Sequence, residues 1–255
     1  MNTLNIKAQS VLVTGGCGGI GLGVGQAFAE QGKQVWLVDR NTAGAQALTE
    51  RFPNVKTLEI DLGDFAQVEH RLGPLLAGED APEVLVNGVG WSPKYKAPGE
   101  RWTPWNMPIA HWREVLSVNL DSVFLTTALA LPRMIERRYG RIINIISLAA
   151  RMGGGGVAPV HYVTAKTALL GLTRVTAQEV GPHGVTVNGI NPGRIDTPMI
   201  HDVPDEVNQA IAKSLPLRRL GTPADVAGSA LFLASDLADY LTGVVVEVNG
   251  GGYML

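Results

Sequence analysis

A single cysteine, Cys17, stands in 255 residues, so no intrachain disulfide can form and the thiol is free. Excess charge of either sign is lacking too. The 21 Lys and Arg against 23 Asp and Glu leave a formal net charge of -2, without the basic clustering that tracks nucleic acid or an anionic membrane. No apolar run approaches the roughly 20 residues of a membrane helix, and neither an internal repeat nor a low-complexity tract is present. The opening MNTLNIKAQSVLV has no basic n-region, long apolar core or small-residue cleavage site. A cytoplasmic protein without nucleic-acid or membrane partners is expected, and no residue pattern points to a metal. Apolar residues, by contrast, make up 45% of the chain, enough for a sizeable core, and one unit spanning 1–255 is the default.

Seven short β-branched runs punctuate the sequence: SVLVTG, QVWLVD, VKTLEI, EVLVNG, RIINIIS, GVTVNGI and GVVVEV. Between them lie amphipathic stretches near 19–31, 42–51, 64–76, 108–138, 161–181 and 223–235. Alternation of strand and helix implies right-handed crossovers into a parallel sheet covered on both faces. The expected class is α/β, a doubly wound Rossmann fold with a seven-stranded parallel sheet. The segments 91–108 and 197–220 are long and irregular, and they follow the fourth and sixth predicted strands. Ligands in open α/β sheets bind beyond the carboxyl ends of strands, so both loops should stand over the site.

Gly15, Gly19 and Gly21 follow the first strand and open a helix. Glycine permits the tight turn and close backbone approach that a pyrophosphate needs, and free N–H groups at the helix start meet its charge. A plain strand–helix turn is the alternative. Asp39, 18 residues after Gly21, lies near the ~20-residue offset at which a carboxylate accepts hydrogen bonds from the adenine ribose. A carboxylate there repels a 2′-phosphate. Arg40 complicates the choice, because a guanidinium can stack on adenine or pair with that phosphate if Asp39 turns away. NAD is the expected cofactor. Asp61 either hydrogen-bonds the adenine amino group or caps the helix that begins near Asp64.

Tyr162 and Lys166 stand four apart in HYVTAKTALLGL, on one helical face. A neighbouring ammonium should lower the phenol's pKa and let Tyr162 exchange a proton with an alcohol or ketone oxygen. Ser147, at the end of the fifth predicted strand, offers a hydroxyl to orient the same oxygen.

With these residues in place, the chain resembles the short-chain dehydrogenase/reductase family, in its single-domain branch of about this length. TGGCGGIG looks like the family's TGxxxGxG, DL at 61–62 like its adenine-side acidic site, NGVG at 87–90 like its NNAG, and NPGRIDTP like the segment that holds the nicotinamide. The resemblance implies a catalytic tetrad of Asn119, Ser147, Tyr162 and Lys166, with Asn119 helping a water chain reach Lys166. It implies cofactor contacts from Gly15, Gly19, Ile20, Gly21, Asp39, Asp61, Leu62, Asn87, Tyr162, Lys166, Pro192, Gly193, Ile195 and Thr197. Three departures stand out. Gly88 and Val89 replace residues of NNAG, the Ser147-to-Tyr162 spacing of 15 is longer than usual, with RMGGGGVAPV to absorb it, and the 91–108 segment is extended.

That segment gathers Trp91, Trp102 and Trp105 with Lys94, Lys96 and Arg101. Aromatic faces cover apolar substrate and cations hold a carboxylate; a subunit contact or plain surface loop is the alternative. Trp91 and Arg151 are the candidate substrate residues, Arg151 having a solvated loop position as its other reading. His161 should face away from the site, and Cys17 should fill space. The expected function is NAD-dependent interconversion of a secondary alcohol and a ketone, on a cyclic or carboxylate-bearing substrate. The alternatives are an NADPH-dependent 3-oxoacyl-thioester (carrier-protein) reductase and, from another class, a non-catalytic NAD(H)-binding regulator. By resemblance the two long helical stretches and the tail VNGGGYML build a homotetramer.

Overall fold

Residues rich in Val, Ile and Leu form the sheet strands β1 (Ser10–Thr14), β2 (Gln34–Asp39), β3 (Val55–Glu59) and β4 (Val84–Asn87) in the first half of the chain. A computed structural model describes residues 4–154 and 157–254; the extreme ends of the chain, and Gly155 and Gly156 of the glycine-rich spacer, lie outside the described residues. The helices between these strands are α1 (Gly19–Glu30), α2 (Gln46–Arg51) and α3 (Phe65–Ala77). A small antiparallel hairpin, β5 (Tyr95–Ala97) with β6 (Glu100–Arg101), follows β4. Then come α4 (Ile109–Leu116), α5 (Ser122–Arg137), β7 (Gly140–Ile145), α6 (Ala149–Met152) and α7 (Val160–Val180). The chain ends with β8 (Val185–Pro192), α8 (Asp205–Ser214), α9 (Pro223–Ala234) and β9 (Val245–Val248).

The seven sheet strands run in the order β3-β2-β1-β4-β7-β8-β9, all parallel. Every residue of β4, β7 and β8 is buried, as strands covered on both faces require. Val24 and Phe28 of α1 pack with Val226, Ala230 and Leu233 of α9 on one face. Val68, Leu72 and Leu76 of α3 join Ala130 and Met134 of α5 on the other. The expected doubly wound Rossmann fold is the fold observed. After β3 the chain returns to place β4 beside β1, and that reversal opens a crevice beyond the strands' carboxyl ends.

The stretch read as one helix over 108–138 is divided by a π turn, Ser117–Asp121, that brings in Asn119. By length and composition the run Ile109–Arg137 would suit a membrane span, which corrects the expectation that no such run exists. Part of its apolar character serves the sheet: α5 packs on α3, β4 and β7, and Thr126 and Thr127 hydrogen-bond Asn87.

Candidate active site

Only glycine fits at several points of the loop between β1 and α1. Gly15 has φ +63° and Gly19 φ +48°, the left-handed region that side chains disfavour. A Cβ on Gly21 would lie 2.1 Å from the Gly15 carbonyl oxygen, whereas one on Gly18 would meet nothing within 4 Å. The loop is thus tightly packed behind and open in front. α1 begins there with no side-chain cap, so its first N–H groups are available to an anion.

The open side borders a cavity of about 730 Å³. Gly15, Gly19, Ile20, Gly21, Asp39, Arg40, Asp61 and Leu62 line one end. The Asp39 carboxylate accepts the Cys17 N–H at 3.2 Å, which holds it at the cavity edge. Burial, with the Asp39 charge, pushes the Cys17 thiol up to about 12, consistent with a packing role. Asp64 caps α3 by accepting the Gln67 N–H at 3.1 Å. Asp61 instead accepts the Gly63 N–H at 2.9 Å and remains on the cavity wall, so the capping alternative falls to Asp64.

Ser147, Tyr162 and Lys166 share the central wall with Pro192, Gly193, Ile195 and Thr197. The Lys166 ammonium donates to the Val89 and Ile145 carbonyls, each at 2.9 Å, and burial lowers its pKa to about 7. Its Nζ is 5.9 Å from the Tyr162 ring centre. Desolvation raises the Tyr162 phenol while the Ser147 hydroxyl pulls it back. This corrects the direction drawn from helical spacing: backbone carbonyls, rather than the phenol, take the Lys166 protons. A phenol so placed is protonated at neutral pH.

A family profile described as enoyl-(acyl carrier protein) reductase matches residues 15–253. The 3-oxoacyl-[acyl-carrier-protein] reductase of Escherichia coli K12 is 34% identical over 253 residues, covering 99% of this chain and 100% of that one. The crystal structure of 3-oxoacyl-[acyl-carrier protein] reductase from Brucella melitensis superposes with a TM-score of 0.89 at 35% identity, over 98% of this chain and 93% of its own. Another structure of such a reductase from Brucella melitensis, with bound NAD, gives 0.87 at 34% identity over 97% and 92%. The chain belongs to the short-chain dehydrogenase/reductase family. Its chemistry is therefore oxidoreduction.

Three site candidates of this short-chain dehydrogenase/reductase are absent from the cavity wall. Asn87 is fully buried, donating to Thr127 Oγ1 at 3.1 Å and Asn144 Oδ1 at 2.9 Å and accepting from Thr126 Oγ1 at 2.8 Å. Both its N–H donors are used inside the protein and its side chain does not reach the wall, which here is Gly88, Val89 and Gly90. Asn119 accepts the Trp91 N–H at 3.0 Å and donates to the Trp91 carbonyl at 2.9 Å; it fixes the loop after β4 that carries the Lys166 partner Val89. Arg151 turns away to Glu247, Nε to Oε1 at 3.1 Å. That carboxylate also accepts from Asn191 at 3.0 Å, and Asn191 in turn accepts the Ser147 N–H at 3.2 Å. Arg151 thus braces Ser147 through two side chains.

Trp91 does line the cavity, its ring meeting His111 edge-on at 5.9 Å. His161 turns away from the cavity, as expected, but is fully buried and accepts the Tyr162 N–H at 2.8 Å through Nδ1. Sequence reasoning missed Arg194, on the wall within NPGRIDTP, because the motif is defined by its other residues. It named Lys94 only as one of three loop cations, although Lys94 alone of them reaches the cavity.

Proposed function

We propose that the chain is an NADH-dependent carbonyl reductase acting on a 3-oxoacyl compound, with the same groups running secondary-alcohol oxidation in reverse. The observation that carries it is the Tyr162 phenol sharing one cavity wall with Ser147 and Lys166. A pyridine nucleotide fits the residues present: the glycine cradle is open toward the cavity, and Asp39 stands where a ribose hydroxyl would need an acceptor. Such a cofactor supplies a hydride for the carbonyl carbon. Ser147 orients the carbonyl oxygen, and Tyr162 gives it a proton, so carbonyl, hydride and proton become an alcohol. Lys166, anchored to two carbonyls, keeps a cationic donor beside the phenol. Asp39 favours NAD(H) by accepting from the unphosphorylated ribose, in keeping with the Brucella melitensis reductase that binds NAD.

The 3-oxoacyl choice rests on the relatives, and the wider secondary-alcohol reading on Asp39 and the three catalytic groups. A non-catalytic NAD(H) sensor has no use for Ser147, Tyr162 and Lys166 on a shared wall. A cytoplasmic homotetramer working as one unit over 1–255 completes the proposal. Absorbance at 340 nm with a neutral 3-oxobutyryl thioester tests it. Turnover with NADH is expected, kcat/KM at least about tenfold above that with NADPH, and Tyr162→Phe should lose roughly 10²–10⁴-fold in kcat. Near-normal turnover by Tyr162→Phe would overturn the mechanism, and preference for NADPH the cofactor choice.

A further inference from the structure

Among the described residues, four basic side chains border the cavity: Arg40, Lys94, Lys166 and Arg194. Arg40 lies at the Asp39 end, and Lys166 is engaged with two carbonyls at the catalytic centre. Lys94 and Arg194 have no part in the reaction derived above.

Their surroundings are unusual for cations. The Lys94 side chain is 3% exposed, with its Nζ donating to the Met199 carbonyl at 3.0 Å and to Asp202 Oδ2 at 2.9 Å. An ammonium has three donors, so one remains beyond these two. Arg194 donates to Asn208 Oδ1 at 2.7 Å and to the Ile200 carbonyl at 3.4 Å. The two cations therefore hold adjacent carbonyls of the 197–220 segment. The one carboxylate between them, Asp202, is 57% exposed and solvated. Burying a cation against a partner that water screens leaves it under-compensated. Glu114, also on the wall, is 60% exposed and engaged with His111 at 3.2 Å.

The position is within reach of the reacting groups. A Cβ built on Gly90 would lie 3.7 Å from Met199 Cε and 3.9 Å from Lys166 Nζ. Met199 thus holds Lys94 at its carbonyl, while its methyl and the Lys166 ammonium both flank Gly90.

We propose that Lys94 and Arg194 form an oxyanion subsite on the cavity wall that binds an acidic group of the substrate, a carboxylate or a phosphate. The assignment rests on the carbonyl-reductase reading and adds the charge of its substrate. Lys94 is a specificity-determining residue, and Asp202 competes with the incoming anion for it.

The test is calorimetric binding to the full-length enzyme saturated with NAD⁺, in which a ketone cannot be reduced. Two pairs of 3-oxobutyryl compounds differ in the acidic group: the free acid against its methyl ester, and the phosphopantetheine thioester against the pantetheine thioester. The charged member of one pair should bind about tenfold more tightly than its neutral counterpart, and that pair identifies the acid as carboxylate or phosphate. Lys94→Met should abolish the difference and leave the neutral compound within about twofold. Asp202→Asn should tighten the charged member. Equal affinity within both pairs overturns the subsite. So does equal loss of charged and neutral binding in Lys94→Met together with a matching loss in Asp202→Asn, the pattern of a purely structural strap. Turnover of the same compounds with NADH reads the other level: selective binding without reduction defeats the proposed reaction and leaves the subsite standing, whereas reduction without charge selectivity does the reverse.

Discussion

Burial opposes the charged form of Lys166. Burial takes its pKa from 10.5 to about 7, so between those values the unfolded chain binds a proton that the folded chain does not. Stability must then rise with pH across that window. Above 10.5 the lysine is neutral in both states and imposes no penalty; below about 7 it is charged in both and the full penalty applies, on the order of 5 kcal/mol. Thermal unfolding of the wild type followed from pH 7 to 10 should show a rising midpoint relative to Lys166→Met, which lacks the titrating group. Parallel curves for the two proteins would show that the site is solvated. The residues that reveal this site in sequence are those whose chemistry and spacing are both constrained: Gly15, Gly19 and Gly21 at a strand end, Asp39 at the next, and the Tyr162–Lys166 pair on one helix face. Asn87 and Asn119 sit in equally recognisable motifs, yet a motif does not say which way an amide points, and both turn into the protein.

Between elements, a buried polar chain joins β4, α5, β7 and α7. Asn144 accepts from Asn87 Nδ2 and donates to Thr173 Oγ1, each at 2.9 Å, while Thr126 and Thr127 complete the partners of Asn87. All five side chains are buried, so removing the central one leaves an Asn87 N–H without its acceptor. Asn144→Ala should cost roughly 1–3 kcal/mol, from the orphaned Asn87 N–H, since Thr173 keeps its bond to the Leu169 carbonyl at 2.7 Å. Urea denaturation should show a lower midpoint at an unchanged slope; a shift below about 1 kcal/mol would mean that water satisfies the Asn87 donor. Such a chain was illegible beforehand, because buried Asn and Thr on different elements have no common spacing. The β5–β6 hairpin was missed for another reason: its strands are three and two residues long, mostly exposed and without apolar alternation. By contrast α8 carried a readable signal within the 197–220 loop. Pro204 precedes it, Asp205 and Glu206 fill its first turn and Lys213 its last, a charge order that complements the helix dipole.

For the molecule as a whole, alternation of strand and helix was enough to foresee the parallel sheet and to place the site beyond its carboxyl ends. The two irregular segments named for that reason do border the cavity, through Trp91, Ser92 and Lys94 from one and Pro198, Met199, Ile200, Ile211 and Leu215 from the other. What a single chain's pattern does not reveal is how its outer helices are covered. Ile109 at the start of α4 is 64% exposed, Phe124 on α5 59% and Val175 on α7 47%, although the helices' inner faces already supply the core. Isolated exposed apolar residues are ordinary, but three on the helices that the family resemblance assigns to subunit contact bear on the proposed homotetramer. Light scattering should give a mass about four times the 27.1 kDa of the chain. Phe124→Glu would place a charge inside the proposed contact and should move the assembly toward smaller species, with the near-ultraviolet circular dichroism of the subunit preserved. A native mass near 27.1 kDa would end the tetramer proposal, and an unchanged mass in Phe124→Glu would show that the subunits meet through other surfaces.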